Sequence, residues 1–451
     1  MEKTVIASAA AGIEPVKWGR ASNADWQHNL LALFLVVSAP SLVLLDWIAL
    51  EQYGGSLRDT IQAAGTHPIQ FLLNNASSPS LFQVFLYFSW VFFQYLLYTY
   101  VPGAQCVGQR TPGGYLLTYT TNGLAAWILT HILYFAFSAA GVIDPAAIAN
   151  HWGGLYATAN VYGFLLATAA LVKAYTSPSY PEDNKLTGSL LFDFWAGVEL
   201  NPRFGSFDWK FFHNGRPGIV AWTLIDLSWA AYQYNRIGYV SDSMIVVTIL
   251  HAIYVVDFFW NEEWYTRTVD ISHDHFGFML AWGDTTFLPA FYTLQTQYLA
   301  RYDVDVTRTQ NLMLLLLGCA GYALFRSANH QRYQVRAHQN DPNVKVWGSP
   351  ATFIRCKYLT ADGKEHQSIL LTCGWWGLAR HANYLGDLMM AFAMCATCGS
   401  EHILPWSYFL YLATLLHHRA WRDERRCRSK YGKHWQEYCD AVPYLIVPGV
   451  Y

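Results

Sequence analysis

Ten stretches of the chain are apolar for long enough to be read as membrane-spanning helices, for which a bilayer core asks roughly 20 residues each. They run over residues 30–50, 81–101, 122–142, 155–174, 219–234, 244–260, 276–299, 312–325, 384–396 and 403–416, the last few being short. This pattern predicts an all-α, polytopic integral membrane protein of about ten transmembrane helices. Residues 1–25 lack the basic start, short apolar core and small-residue cleavage site of a signal peptide, so residues 1–26 are expected to form a retained polar leader. Helices one to eight then fill residues 27–325, and residues 326–451 hold a loop, the last two helices and a polar C-terminal region.

With a cytoplasmic N-terminus, only Arg58, Arg236, Arg301 and Arg308 fall on the far side, the asymmetry that orients membrane proteins. Two cytoplasmic connections are long. Residues 175–218 carry GVELNPRFG and FFHNGRPG, where glycine and proline beside charge suggest shaped backbone that re-enters the membrane in part. In residues 326–367, the alternation over 352–359 and the turn formers Ala361, Asp362 and Gly363 predict a small hairpin.

Composition sharpens the class. Hydrophobic residues make up 53% of the chain, aromatics 17% and charged residues 13%, the last about half the usual share. A net charge of −2 offers no basic field for nucleic acid. Of eight cysteines only Cys395 and Cys398 form C-x-x-C, with no βαβ pattern near them, so they are read as small helix-packing residues. His273 and His275 with Asp270 and Asp274 lack the H-E-x-x-H arrangement, so no metal is expected there.

Two polar runs interrupt this apolar background. In GWWGLARHANYLGD, Arg380, Asn383 and Asp387 lie three and four residues apart, on one face of a helix beginning near Trp376. In HHRAWRDERRCRSKYGKHWQEY, Arg419, Asp423, Cys427 and Lys430 repeat that spacing, and Trp435 and Tyr438 continue it. Charge facing lipid is costly, so both faces are expected to line a wet cavity or a charged-ligand site. Neither a Rossmann glycine fingerprint nor a P-loop is present. Arg332, Arg336, Arg419, Arg422, Arg426 and Lys430 suit phosphate groups, and Trp376, Tyr384, Tyr431 and Tyr438 offer flat surfaces for a ring. The same set suits an anionic lipid headgroup.

A third run, YVVDFFWNEEWYTRTVDISHDHFGFMLAWGD, places Asp257, Glu262, Asp270, His273, Asp274 and Asp284 around two apolar segments. A carboxylate or tyrosine in apolar surroundings has a raised pKa and can act as an acid at neutral pH. Helix–helix hydrogen bonds are the alternative use of each such group.

From about residue 122 to 451, GVELNPR, NGRPGIVAWTLI, DFFWNE, DISHDHFGF, WGD, GWWGLARHANYLGDL, RDERRC, KYG and VPYLIVPGVY stand in the order of a known family. The chain resembles the integral-membrane sterol reductases, which include the Δ14-sterol reductases, the lamin B receptor and 7-dehydrocholesterol reductase. The last branch is nearest, through IYVVDFFWNEEWY, TVDISHDHFG and the Pro-Gly ending. The resemblance implies NADPH, bound from the cytoplasmic side by Arg332, Arg336, Leu371, Trp376, Asn383, Tyr384, Asp423, Cys427, Arg428, Ser429, Lys430, Tyr431 and Tyr438. Helical spacing adds Arg380, Asp387 and Arg419 to that set. Arg332 stands where the branch usually has lysine, which keeps the charge and replaces a point charge by a fork.

The implied reaction is reduction of the Δ7 bond of a Δ5,7-sterol drawn from the bilayer, with a hydride added to one carbon and a proton to its neighbour. Tyr254 or Asp257 is expected to be the acid or its relay, with Glu262, His273 and Asp274 as supporting groups. Membrane lipids are the surrounding partners; the home is the endoplasmic reticulum in a eukaryote and the inner membrane in a bacterium. Reduction of a Δ14 or Δ24(28) bond is the alternative within enzymes. A non-catalytic sterol-binding protein is the alternative outside them.

Overall fold

The computed structural model describes residues 23–111, 113–341, 343–359 and 365–451. Most of the expected leader and the turn at 361–363 lie outside the described residues. Helices occupy the predicted stretches: Trp26–Gln52, Leu81–Tyr100, Gly123–Ala139, Trp152–Thr176, Pro217–Ile237, Asp242–Trp260, Arg308–Ala337, Ala382–Ala396 and Ser407–Tyr431. Five of these, at Trp26, Leu81, Trp152, Asp242 and Arg308, are long and apolar enough to cross a membrane, and Gly123–Ala139 is a shorter apolar helix. Side-chain caps start several of them. Asp25 accepts from the His28 amide, Ser80 and Gln83 form a capping box, and Ser241 accepts from the Met244 amide, each satisfying a first-turn N–H that has no helical partner.

The predicted span over 276–299 is broken into Phe278–Trp282, a π-turn at Gly283–Phe287, Leu288–Phe291 and Leu294–Arg301. Two glycines admit this segment. A Cβ at Gly163 would meet Trp282 at 2.8 Å, and one at Gly218 would collide with the Asp284 carbonyl. Local π geometry is frequent where a helix serves function.

The described residues fall into two compact units, 23–320 with 388–412, and 321–387 with 413–451. In the larger unit the polar ties collect at two opposite ends of the helices. At one end Ser189 bonds Asn29, Arg216 pairs with Glu262 at 2.5 Å, and Lys173 pairs with Glu199 at 2.9 Å. At the other, Arg301 pairs with Glu51, Arg236 with Asp303 at 2.8 Å, and Tyr302 donates to the Leu50 carbonyl. Trp26–Gln52 and Pro217–Ile237 therefore both run from the first end to the second.

Among the described residues, four two-stranded sheets qualify the all-α expectation. The hairpin Ala104–Arg110 with Leu116–Thr121 was not expected; it packs Cys106, Leu117 and Tyr119 on Phe211 and Ile271. The predicted hairpin is present as Phe353–Leu359 paired antiparallel with Glu365–Leu371. Strand alternation divides its second strand between two cores of the smaller unit. Ile369 and Leu371 join Val335, Val346 and Trp376, whereas Leu370 joins Cys427, Trp435, Tyr438 and Val442.

Candidate functional site

Both polar runs are shaped differently from the helices expected of them. The helix at Trp375–Leu378 stops at Ala379, whose backbone is extended, and resumes only at Ala382. The break is held by the C-terminal segment: the Arg380 and His381 amides donate to the Tyr444 and Leu445 carbonyls. Asn383 and Asp387 still share one helix, but Arg380 leaves their face. Its guanidinium binds Glu424 at 2.8 Å and the Val442 and Pro443 carbonyls at 2.7 and 2.9 Å. In the second run Arg419, Asp423, Cys427 and Lys430 do share Ser407–Tyr431. That helix ends before Gly432, whose φ of +53° favours glycine, so Trp435 and Tyr438 belong to a separate helix, Lys433–Ala441.

The smaller unit gathers these residues around a cluster of positive charge. Arg332 and Arg336 lie one turn apart on Arg308–Ala337. The Arg332 guanidinium sits 4.5 Å from the Trp376 ring, and the Lys430 ammonium 3.9 Å from the Tyr358 ring and 5.2 Å from that of Tyr431. Trp376 is fixed by its Nε1–H, which donates to the Ala328 carbonyl at 2.7 Å, and the Tyr438 hydroxyl donates to the Trp376 carbonyl at 3.3 Å. Leu371 belongs to the core beneath it.

The cations disturb one another. Arg332 is exposed, with the like charge of Arg336 acting on it. Burial, with Arg426 and Arg336 adding, pushes Lys430 down to about 8. Asp423 is held below the usual carboxylate range: burial raises it, and Arg426, His381 and Arg332 outweigh that. It bonds Arg426 at 2.7 Å and accepts from Cys427 Sγ at 3.7 Å. Arg426 and Arg332 act on this carboxylate, and Arg336 acts on both Arg332 and Lys430, a clustering of positive charge that suits an anion. Asp387 is buried with Arg419 acting on it, while Arg428 and Ser429 are exposed on the helix of Arg419.

Asn383 Oδ1 and His381 Nε2 are among the buried polar atoms of this unit that have no hydrogen-bond partner among the described residues. The His381 ring stacks on Tyr384 at 4.9 Å, and burial pushes it down to about 4, so it is neutral at pH 7. An anionic ligand that also carries a hydrogen-bond donor and a ring fits this donor and acceptor set. His381 escaped sequence reasoning, although it stands inside the GWWGLARH run.

The larger unit holds the acid candidates. Tyr254 lies against Trp222, with ring centroids 5.4 Å apart, in a core with Val220, Val255 and Phe259. Asp257 accepts from Asn261 Nδ2 at 3.1 Å, one turn on. Glu262 is committed elsewhere: besides Arg216 it accepts the Gly123 amide at 2.8 Å, at the start of Gly123–Ala139. His273 caps a short helix, and the Asp274 carbonyl accepts from buried Lys210 at 2.9 Å. The structure therefore places Tyr254 and Asp257 on one helix and His273 and Asp274 in a separate connection.

One buried polar network was not anticipated. Asp226 Oδ2 lies 3.0 Å from His251 Nδ1, and Asp226 Oδ1 accepts from the Thr296 hydroxyl at 2.8 Å. Both were detectable as lone ionisable residues in the apolar runs TLIDLSW and ILHAIYV, where such a residue is a functional candidate by default.

Apolar helices of spanning length define a membrane protein, and its smaller unit carries a ring-lined cluster of cations. Comparison with known proteins specifies the class: the chain belongs to the ergosterol biosynthesis ERG4/ERG24 family, whose model matches residues 56–451. It is thus an integral membrane sterol reductase, an oxidoreductase. It is 44% identical to 7-dehydrocholesterol reductase of Xenopus laevis over 450 residues, covering 96% of this chain and 95% of that protein. It is 43% identical to that of Danio rerio, over 97% and 94% of the two chains. It is also 36% identical to a Δ14-sterol reductase of Methylotuvimicrobium alcaliphilum, over 93% and 94%.

Proposed function

We propose that this protein reduces the Δ7 double bond of Δ5,7-sterols with NADPH, converting 7-dehydrocholesterol to cholesterol. Similarity over nearly the whole length to two proteins named for that substrate supports this bond over others. The cofactor reading rests on the cationic cluster of Arg332, Arg336, Arg426 and Lys430, and on Asn383 Oδ1 and His381 Nε2, which lack a hydrogen-bond partner among the described residues. In this reading the four cations hold the phosphates, Trp376, Tyr384 and Tyr431 offer faces to the rings, and Asp423 orients Arg426. Bound NADPH supplies a hydride. Tyr254 or Asp257 donates the proton, and aromatic rings such as Trp222 and Tyr292, 5.3 Å apart, stabilise developing positive charge on the sterol. The helices cross the membrane about ten times with the cofactor residues cytoplasmic, in the endoplasmic reticulum of a eukaryote or the inner membrane of a bacterium.

A second reading, reduction of the Δ14 bond, is favoured by the 36% identity to a Δ14-sterol reductase. Purified protein in detergent, given NADPH and either 7-dehydrocholesterol or a Δ8,14-sterol, separates the two. Loss of the conjugated diene absorbance of 7-dehydrocholesterol, with cholesterol identified by mass spectrometry, supports Δ7. Turnover of the Δ8,14-sterol alone overturns it.

A further inference from the structure

The Asp226–His251–Thr296 network ties three helices, Pro217–Ile237, Asp242–Trp260 and Leu294–Arg301, deep in the larger unit. Asp226, His251 and Thr296 are each 0% exposed. Both carboxylate oxygens of Asp226 are used, one by His251 Nδ1 and one by the Thr296 hydroxyl. The carboxylate therefore fixes the imidazole with a proton on Nδ1 and directs Nε2 away from itself. His251 Nε2 is buried and has no hydrogen-bond partner among the described residues.

A buried imidazole nitrogen left unpaired is unfavourable in a purely structural clamp. Its surroundings are those of the acid candidate. His251 precedes Tyr254 by three residues on the same helix, hence on the same face. Trp222 touches both rings, at 5.2 Å from His251 and 5.4 Å from Tyr254. Trp222 Nε1 is likewise buried without a partner among the described residues, a donor able to hold one water in line.

We infer that His251, oriented by Asp226, is a positioning residue for protonation that returns a proton to Tyr254 in each turnover. The step builds on the reductase reading above and on Tyr254 as the proton donor. The π electrons of the sterol double bond take the Tyr254 proton to form one C–H bond, and the hydride completes the other. In the same step the forming phenolate takes the Nε2 proton of the His251 imidazolium, directly or through one water. Neutral His251 keeps its Nδ1–H on Asp226 and regains a proton at Nε2 from solvent, which balances the cycle.

The test compares wild type with His251→Gln, whose amide can still donate to Asp226 but cannot relay a proton. Whichever sterol the wild type reduces serves as substrate, so a change of bond specificity overturns the Δ7 reading and leaves this one standing. His251→Gln is expected to lower kcat about 100-fold at unchanged NADPH affinity and melting temperature, with imidazole restoring turnover to His251→Gly. Undiminished kcat in His251→Gln overturns the relay. Should both variants lose stability, the wild type decides through single-turnover rates in mixtures of H2O and D2O. A curved dependence on deuterium fraction reports more than one proton in flight and supports the relay, and a straight line overturns it.

Discussion

Arg332 stands over the face of Trp376, its guanidinium 4.5 Å from the ring, while the indole N–H is held by the Ala328 carbonyl one turn earlier on the helix of Arg332. The cation is thereby preorganised by a ring that is itself anchored. Arg332→Ala is expected to weaken NADPH binding about 10- to 100-fold, the range for losing a charged hydrogen bond, and Arg332→Lys to weaken it far less. Calorimetric titration of the detergent-solubilised protein measures both. Equal affinity in wild type and Arg332→Ala would move the phosphate site elsewhere.

Lys430 gives that site a pH dependence. Its ammonium is pushed down to about 8 from an ordinary value near 10.5, so the free protein loses this charge as pH rises through 8. A bound phosphate favours the charged form, hence affinity is full below pH 7 and falls above 8, by up to about tenfold per pH unit. Lys430→Arg should flatten the profile between pH 7 and 9. A wild-type profile already flat over that window would remove Lys430 from the phosphate contacts.

Glu262 and Arg216 form an ion pair in which Arg216 is 0% and Glu262 4% exposed. Removing one partner strands the other, a loss of about 3–5 kcal/mol. Glu262→Ala is expected to lower the melting temperature sharply, whereas Asp257→Asn is expected to lower turnover without that loss. A Glu262→Ala protein of native stability and no activity would return Glu262 to the acid candidates.

Gly218 lets the Pro217–Ile237 helix approach the backbone of the π-turn at Asp284. Gly218→Ala is expected to destabilise the protein by about 1–3 kcal/mol, as overpacking does, and to lower activity by shifting that turn. Unchanged melting temperature and turnover would show that the π-turn tolerates displacement.

The apolar periodicity located the helices, and the i, i+4 spacing placed Arg419, Asp423, Cys427 and Lys430 together on one of them. What spacing could not show is where a helix stops for a tertiary reason. Arg380 leaves its expected face because the Tyr444 and Leu445 carbonyls, some 60 residues on, capture the backbone at 380 and 381. The span over 276–299 read as continuous because Pro289 and the π-turn are accommodated by distant glycines. The turn-rich sequence Thr-Pro-Gly-Gly at 111–114, between the strands Ala104–Arg110 and Leu116–Thr121, could have announced that hairpin. Asp226 and His251 give a weaker signal than clustered charges, because each stands alone in an apolar run.

The proposed reaction carries a hydride from NADPH and a proton from a protein acid to the Δ7 bond. Incubation of 7-dehydrocholesterol with NADPH deuterated at the transferable position of C4, and separately with unlabelled NADPH in D2O, tests it most directly. One deuterium in the cholesterol product from each experiment, one at C7 and the other at C8, is the predicted result. Product without label from the deuterated cofactor, or no product from either, would contradict the account.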